Sequence, residues 1–428
     1  MASKRLRLVM VGNGMAGVRT LEELLKIAPG LYDITVFGAE PHPNYNRILL
    51  SPVLAGEQTL DDIVLNGWEW YAQHGITLHA GCQVHTVDRA RRVVHGTDAA
   101  GQAIETPYDR LILATGSDPF ILPVPGRALE GVLAYRDIAD TQAMIDAAAR
   151  YREAVVIGGG LLGLEAASGL MQRGMQVTVV HAGGWLLDRQ LDAAAGALLQ
   201  RSLEQRGMRF QLEGQTEALV GDGDAADTGR VRAVRLQDGT ELPAQLVVMA
   251  VGIRPRTALA RQMRLHVERG IVVNDTLQTV TDPRIYAVGE CAQHRGIAYG
   301  LVAPLFEQGR VLASHLAEWG IGRYQGSRLS AKLKVTGIDL FSAGNVQGGD
   351  GTEEIVVRDP AGGVYKKLVL QDGRLVGACL YGDTADGSWY FRLLREGLAV
   401  EGLREQLMFG EPPTPAGTAL QPAAREAA

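Results

Sequence analysis

Leu6-Arg-Leu-Val-Met-Val-Gly-Asn-Gly-Met-Ala-Gly17 is a short apolar run that breaks on three glycines, and Val18 to Ile27 then continues with helical spacing. Strand, tight turn and helix in that order are the opening of a dinucleotide-binding unit. Glycines allow the turn and bring a pyrophosphate close to the helix N-terminus, so Gly12, Gly14, Met15, Ala16 and Gly17 form the expected contact set. A second apolar run, Asp33-Ile-Thr-Val-Phe37, leads to Glu40, 23 residues past Gly17, where an acid receives ribose hydroxyls.

The same pattern returns further on. Ala154-Val-Val-Ile157 is the strand, Gly158-Gly-Gly160-Leu161-Leu162-Gly163 the turn, Leu164 to Arg173 the helix and Gln176-Val-Thr-Val-Val180 the second strand. An internal repeat of this unit means two nucleotide sites. His181 stands at the ribose position, 18 residues past Gly163. It is either a neutral cap on a strand end or, with Arg189, a partner for a 2′-phosphate, so NADH and NADPH both stay open.

Between and after the repeats lie the segments that complete the sites. Pro41 to Arg47 is a Pro-rich loop running along the first dinucleotide; Arg47 is a pyrophosphate partner or a solvated arginine, and Ser51 follows. Val84 opens the strand Val84–Asp88, and Tyr108 to Ser117 is a buried strand ending in Ala114-Thr115-Gly116. Leu246 to Gly252 repeats that ending. Ile285-Tyr-Ala-Val-Gly289-Glu290-Cys291 brings a glycine and a carboxylate to a strand end, and within Val302 to Gly309 a helix is expected to open with Pro304 at its first position. A helix N-terminus aimed at the same space suits an anionic reduced flavin.

Totals agree with this class. At 428 residues the chain exceeds one ordinary core, and its net charge of -6 gives no reason to expect nucleic acid or an anionic membrane. Cys82, Cys291 and Cys379 are odd in number and far apart, which speaks for a reducing cytoplasm and excludes a four-thiolate cluster; Cys291, beside Glu290, is either a redox thiol or simply a buried cysteine. The basic N-terminus runs straight into a strand, so neither a signal peptide nor a membrane span is expected. Beyond Tyr324, alternating segments separated by turns such as Asp372-Gly373 predict an antiparallel sheet, then a helix over 386–398 and a disordered tail from Gly410. The predicted class is therefore α/β, with two Rossmann-like domains and a C-terminal α+β domain. Residues 1–117 and 250–323 would form a split FAD domain, 118–249 the inserted NAD(P)H domain, 324–409 the third domain and 410–428 the tail.

These motifs resemble the pyridine nucleotide–flavin oxidoreductases with two dinucleotide-binding domains. Asn44-Tyr-Asn-Arg-Ile-Leu-Leu-Ser51, Ala287-Val-Gly-Glu-Cys-Ala292 and Tyr299-Gly-Leu-Val-Ala-Pro304 are similar to the N-terminal flavoprotein part of the assimilatory nitrite reductase large subunit and to the assimilatory nitrate reductase electron-transfer subunit. The resemblance implies FAD, NADH or NADPH, hydride transfer to the flavin, and electrons leaving to a separate protein: a nitrate or nitrite reductase catalytic subunit, a rubredoxin or a ferredoxin. It implies Glu290 on a ribityl hydroxyl, Glu165 near the nicotinamide and Lys334, or Lys332, near the flavin; from the helical pattern alone Glu165 is a surface acid. Ser51 and Pro52 lie where oxygen- and peroxide-reducing relatives carry a cysteine, and no paired cysteines follow the first glycine turn. An NADH oxidase or diaphorase, and a nucleotide-responsive interaction protein, are the alternatives.

Overall fold

The computed structural model describes residues 5–223, 228–333, 335 and 337–412. These fall into two compact units. One holds the chain up to Leu50, Gln58–Phe120 and Gly252–Ser327; the other holds Ser51–Glu57, Ile121–Val251 and the chain from Arg328 on.

The first unit is built on a five-stranded parallel sheet, in the order Ile285–Ala287, Arg110–Leu113, Leu6–Val11, Tyr32–Gly38, Thr77–Ala80. Covered on both faces, its strands read as continuous apolar runs, and Leu8, Met10, Val36, Leu111, Ile112 and Ile285 are fully buried. Burying each such side chain contributes on the order of 2 kcal/mol. Register decides where chemistry can occur. Val11 pairs with both Phe37 and Leu113, and Leu113 pairs with Ala287. The first glycine turn, Ala114-Thr-Gly116 and Val288-Gly-Glu290 therefore all emerge at the carboxyl edge, where ligands of open parallel sheets bind. An antiparallel sheet of Gln83–Asp88, Val93–Thr97 and Ala103–Pro107 belongs to the same unit.

The second unit repeats the plan. Its parallel sheet runs Val132–Ala134, Leu246–Met249, Glu153–Ile157, Gln176–Val180, Arg209–Gln211, and Ile157 pairs with Val180 and Met249. A five-stranded antiparallel sheet follows, ordered Ser330–Lys332, Leu340–Gly344, Arg374–Tyr381, Val364–Gln371, Glu353–Asp359. The helix Gly387–Glu396 packs Trp389, Tyr390 and Leu393 against Phe341, Leu368 and Leu380 of that sheet.

The predicted α/β class, with two parallel sheets and a C-terminal antiparallel one, is the observed class. Three details differ. Pro304 is the third residue of the helix Val302–Leu316, not the first; it is tolerated because no intrahelical acceptor exists for any N–H of the first turn. The strand Leu340–Gly344 and the helix Ile138–Arg150 were not expected; the helix is Ala-rich with a weak apolar stripe, and Asp137 caps it by accepting from the Asp140 N–H at 3.0 Å. Residues 413–428 of the expected tail lie outside the described residues.

Candidate nucleotide and flavin sites

The two glycine turns have nearly identical local geometry. Gly12 has φ +111°, and a Cβ built there would lie 2.0 Å from the Ala114 carbonyl oxygen; Gly158 has φ +121°, with a Cβ 2.3 Å from the Ala250 carbonyl oxygen. These glycines are required by the protein itself. Gly14 and Gly160 are different. Both have φ −83° and extended ψ, which any residue adopts, and a Cβ at either would meet nothing within 4 Å. What a side chain would occupy at both is open space.

Neither helix following these turns is closed by a side chain. The helices Met15–Ile27 and Leu161–Gln172 start at Gly14 and Gly160 with no side-chain cap, whereas Asp137 and Asp192 cap the helices Ile138–Arg150 and Ala193–Gln205. Orphan N–H groups beside a cradle that a Cβ would fill are the donor set for a pyrophosphate. Met15 and Ala16, and Leu161 and Leu162, are the first two residues of the two helices. Gly17 and Gly163 let each helix pack on its turn: a Cβ at Gly17 would meet Met10 Sδ at 2.8 Å, and one at Gly163 the Gly158 carbonyl oxygen at 1.8 Å.

In the first unit, both oxygens of Glu40 are engaged. Tyr45 donates its hydroxyl to Oε2 at 2.7 Å, and Arg47 forms an ion pair with Oε1 while lying over the Tyr45 ring. Arg47 is thus paired with Glu40 rather than standing alone in solvent. Glu290 accepts from the Ser117 hydroxyl at 2.7 Å. Thr115 donates its hydroxyl to the Arg256 carbonyl at 2.8 Å, and the Gly116 carbonyl accepts from the Arg256 N–H at 2.9 Å. Gly289, at φ +90°, donates its N–H to the Gln308 side chain at 3.0 Å and faces Ala16. Gly252 accepts from the Phe120 N–H at 2.9 Å where Ser117–Pro119 and Ile253–Pro255 pair. Val84 pairs with Gly96 across its hairpin. Cys291 is fully buried, its thiol 3.4 Å from the Leu113 and Val288 carbonyl oxygens, and burial pushes that thiol up, so it stays protonated.

In the second unit Glu165 is buried, and the surface reading of it is overturned. It accepts from the Ser51 hydroxyl at 2.7 Å, and Ser51 in turn accepts from the Tyr135 hydroxyl at 3.3 Å. Burial pushes the Tyr135 phenol well above its ordinary range, which keeps it a donor. Sequence reasoning missed Tyr135, since nothing local marks a residue that meets Ser51 across 84 positions. His181 follows the strand end and accepts from the Gly159 N–H at 3.3 Å. Arg189 is exposed; the charged group facing His181 is its neighbour Asp188, also missed. Lys334 lies outside the described residues, while Lys332 ends the strand Ser330–Lys332 as an exposed side chain.

Cys82, Cys291 and Cys379 are all buried and unpaired. Among the described residues no cluster of His, Cys, Asp and Glu is arranged to hold a metal, and no helix is long and apolar enough to cross a membrane.

Two glycine turns with uncapped helices, on two parallel sheets in one chain, define a protein that binds two dinucleotides. The chain belongs to the pyridine nucleotide-disulphide oxidoreductase family, whose pattern it matches over residues 6–317; residues 330–398 match the rubredoxin NAD+ reductase C-terminal domain. It is 54% identical over 390 residues to a nitrite reductase [NAD(P)H] of Bacillus subtilis (strain 168), a match covering 91% of this chain and 47% of that protein. It is 48% identical to the assimilatory nitrate reductase electron transfer subunit of the same organism, over 90% of this chain and 48% of that protein. The chain thus spans about half the length of the curated relatives it matches. Among solved structures, the covalent putidaredoxin reductase–putidaredoxin complex has a chain that superposes with TM-score 0.82 at 28% identity, over 93% of this chain and 95% of that one.

Proposed function

We propose that this chain is an FAD-dependent NAD(P)H oxidoreductase that hands electrons to a separate redox protein of nitrate or nitrite assimilation. The observation that carries the reading is the paired glycine turn, in which Gly14 and Gly160 are glycine for no intramolecular reason while the helices behind them are left without caps. Residues 1–117 and 250–323 are assigned to FAD, 118–249 to NAD(P)H and 324–409 to a third domain. Bound together, the two cofactors supply hydride uptake from the nicotinamide and one-electron release.

The protein's share is positioning. Gly12, Gly14, Met15, Ala16 and Gly17 cradle the FAD pyrophosphate, Glu40 takes the ribose, Arg47 and Tyr45 orient Glu40, and Glu290, held by Ser117, receives a ribityl hydroxyl. The N-terminus of the helix Val302–Leu316, with Pro304 in its first turn, stabilises negative charge at the flavin. Val84, Thr115, Gly116, Gly252 and Gly289 shape the same pocket. Gly158, Gly160, Leu161, Leu162 and Gly163 cradle the second pyrophosphate, His181 and Arg189 lie towards its ribose, and Glu165, fixed by Ser51 and Tyr135, lies by the nicotinamide. Lys334 is retained as a candidate beside the flavin.

The likeness of residues 330–398 to the rubredoxin reductase C-terminal domain favours a second acceptor class, a rubredoxin or ferredoxin. Ser51 in place of a cysteine argues against an oxidase. Buried unpaired cysteines fit a cytoplasmic setting. Anaerobic NADH or NADPH should bleach the bound flavin, with rapid ferricyanide reduction and slow oxygen uptake. Fast water or peroxide formation would sink the electron-transfer reading, and a flavin that neither nucleotide bleaches would sink the enzyme reading altogether.

A further inference from the structure

In a strand–glycine turn–helix–strand unit, the residue ending the second strand faces the adenosine ribose. In the second unit the residue just past that strand end is His181, and its surroundings specify what it does. A Cβ on Gly159 would meet the His181 Cγ at 2.8 Å, so the side chain lies against the glycine turn. Its Nδ1 accepts from the Gly159 N–H at 3.3 Å, which puts the hydrogen of the neutral ring on Nε2. That Nε2 is shielded and makes no hydrogen bond, and 3.8 Å from it stands Asp188 Oδ1. A Cβ on Gly183 would come within 2.8 Å of both the Asp188 carboxylate and Nε2, so any larger residue there would wedge them apart. The turn carrying Asp188 is anchored from the loop that follows the strand Leu340–Gly344, where Gln347 donates to the Asp188 carbonyl at 3.3 Å and the Leu191 carbonyl at 2.8 Å.

We propose that Asp188, oriented by His181, is the ribose acid of the second site, and that it selects NADH over NADPH. This rests on reading the second glycine turn as the pyridine-nucleotide site. Asp188 lies 25 residues past Gly163, close to the 23 that separate Glu40 from Gly17. Its side chain is 42% exposed and open to a ligand, whereas the side chain of His181 beside it is only 13% exposed. The acid has moved from the strand end into the following turn, and histidine has become its positioning residue. A ribose 2′-hydroxyl can donate to the Asp188 carboxylate; a 2′-phosphate in the same place meets a like charge.

Equilibrium binding of ADP-ribose and 2′-phospho-ADP-ribose to the FAD-loaded full chain, both redox-inert, tests this without turnover. The wild type should favour ADP-ribose by about 10-fold or more, and Asp188→Asn should reduce that preference to about 3-fold or less. His181→Ala should erode the preference as well, and His181→Gln, which keeps a donor towards Asp188, should restore part of it with an unchanged melting temperature. Equal or tighter binding of the 2′-phosphorylated ligand by the wild type, or an unchanged ratio in Asp188→Asn, would overturn the assignment of Asp188 alone. If neither ligand binds, the nucleotide reading of the second turn falls, and the preference with it.

Discussion

The first and second parallel sheets solve one backbone problem alike and one electrostatic problem differently. Both place a positive-φ glycine under a neighbouring strand's carbonyl, and both start an uncapped helix at a glycine facing open space. At the opposite, amino edge of each sheet, the central strand is tied to its neighbour by an equivalent side chain. In the first unit Asp109 accepts from the Arg7 N–H at 2.9 Å and from its guanidinium at 3.0 and 2.9 Å. In the second, Gln245 accepts from the Arg152 and Glu153 N–H groups at 3.0 and 3.2 Å. One clamp is charged and the other neutral. Backbone requirements have kept the two copies the same, while side chains at matching places have diverged.

The sharpest way to break this comparison is at the glycines the fold requires. Gly12→Ala and Gly158→Ala each combine left-handed backbone with a clash on a carbonyl, so each should destabilise its unit by more than about 3 kcal/mol. Flavin content should collapse for the first, and NAD(P)H binding for the second; Gly158→Ala with nucleotide affinity within twofold of wild type would break the equivalence of the turns. Gly14→Ala and Gly160→Ala should separate ligand from fold. The apo melting temperature should hold or rise slightly, yet Gly14→Ala should lower FAD affinity and Gly160→Ala nucleotide affinity, by about 10-fold or more. Equal loss of apo stability in both would mean these glycines serve the fold.

Glu290→Ala should weaken FAD retention by about 10-fold, as a charge-assisted hydrogen bond is lost; unchanged flavin content after purification would count against its role. In the second unit Ser51→Ala should slow anaerobic flavin reduction about 3-fold and Glu165→Gln about 10-fold with flavin content preserved, and stopped-flow traces indistinguishable from wild type would remove both from the site.

The smallest effect concerns the clamps. The Arg7 side-chain hydrogen bond holds the Asp109 carboxyl down at about 2, from an ordinary 3.8. A depressed carboxyl contributes stability that is fully present above about pH 4 and is lost as pH falls through about 2. The Gln245 clamp has no proton to gain. Acid should therefore loosen the amino edge of the first sheet before that of the second, as hydrogen exchange at Arg7 and Glu153 would report. Asp109→Asn should flatten the acid limb of first-unit stability, with a shift of less than about 3 °C at neutral pH; matched acid sensitivity at the two sites would remove the distinction.

Much of this was legible because it is written in contiguous residues. The glycine turns, the strand runs before them and the carboxylate after Gly289 carry their geometry locally. Arg47 was not legible, because its partner Glu40 offered no sign that it would be paired rather than open. Pro304 was read two positions too early in its helix, since the first turn of a helix accepts proline at more than one position. Asp188 was hidden by a spacing rule that pointed at His181.

By itself, the sequence determined that two dinucleotide units exist, where their glycines lie and that an antiparallel sheet follows, because backbone dihedrals and hydrophobic periodicity depend on neighbours in the chain. Tertiary structure alone decided that Glu165 is buried under a serine 114 residues away, that Tyr135 joins them, and that Asp188 faces His181. A side chain's surroundings depend on which distant segments the sheet register brings beside it, and no local pattern encodes that.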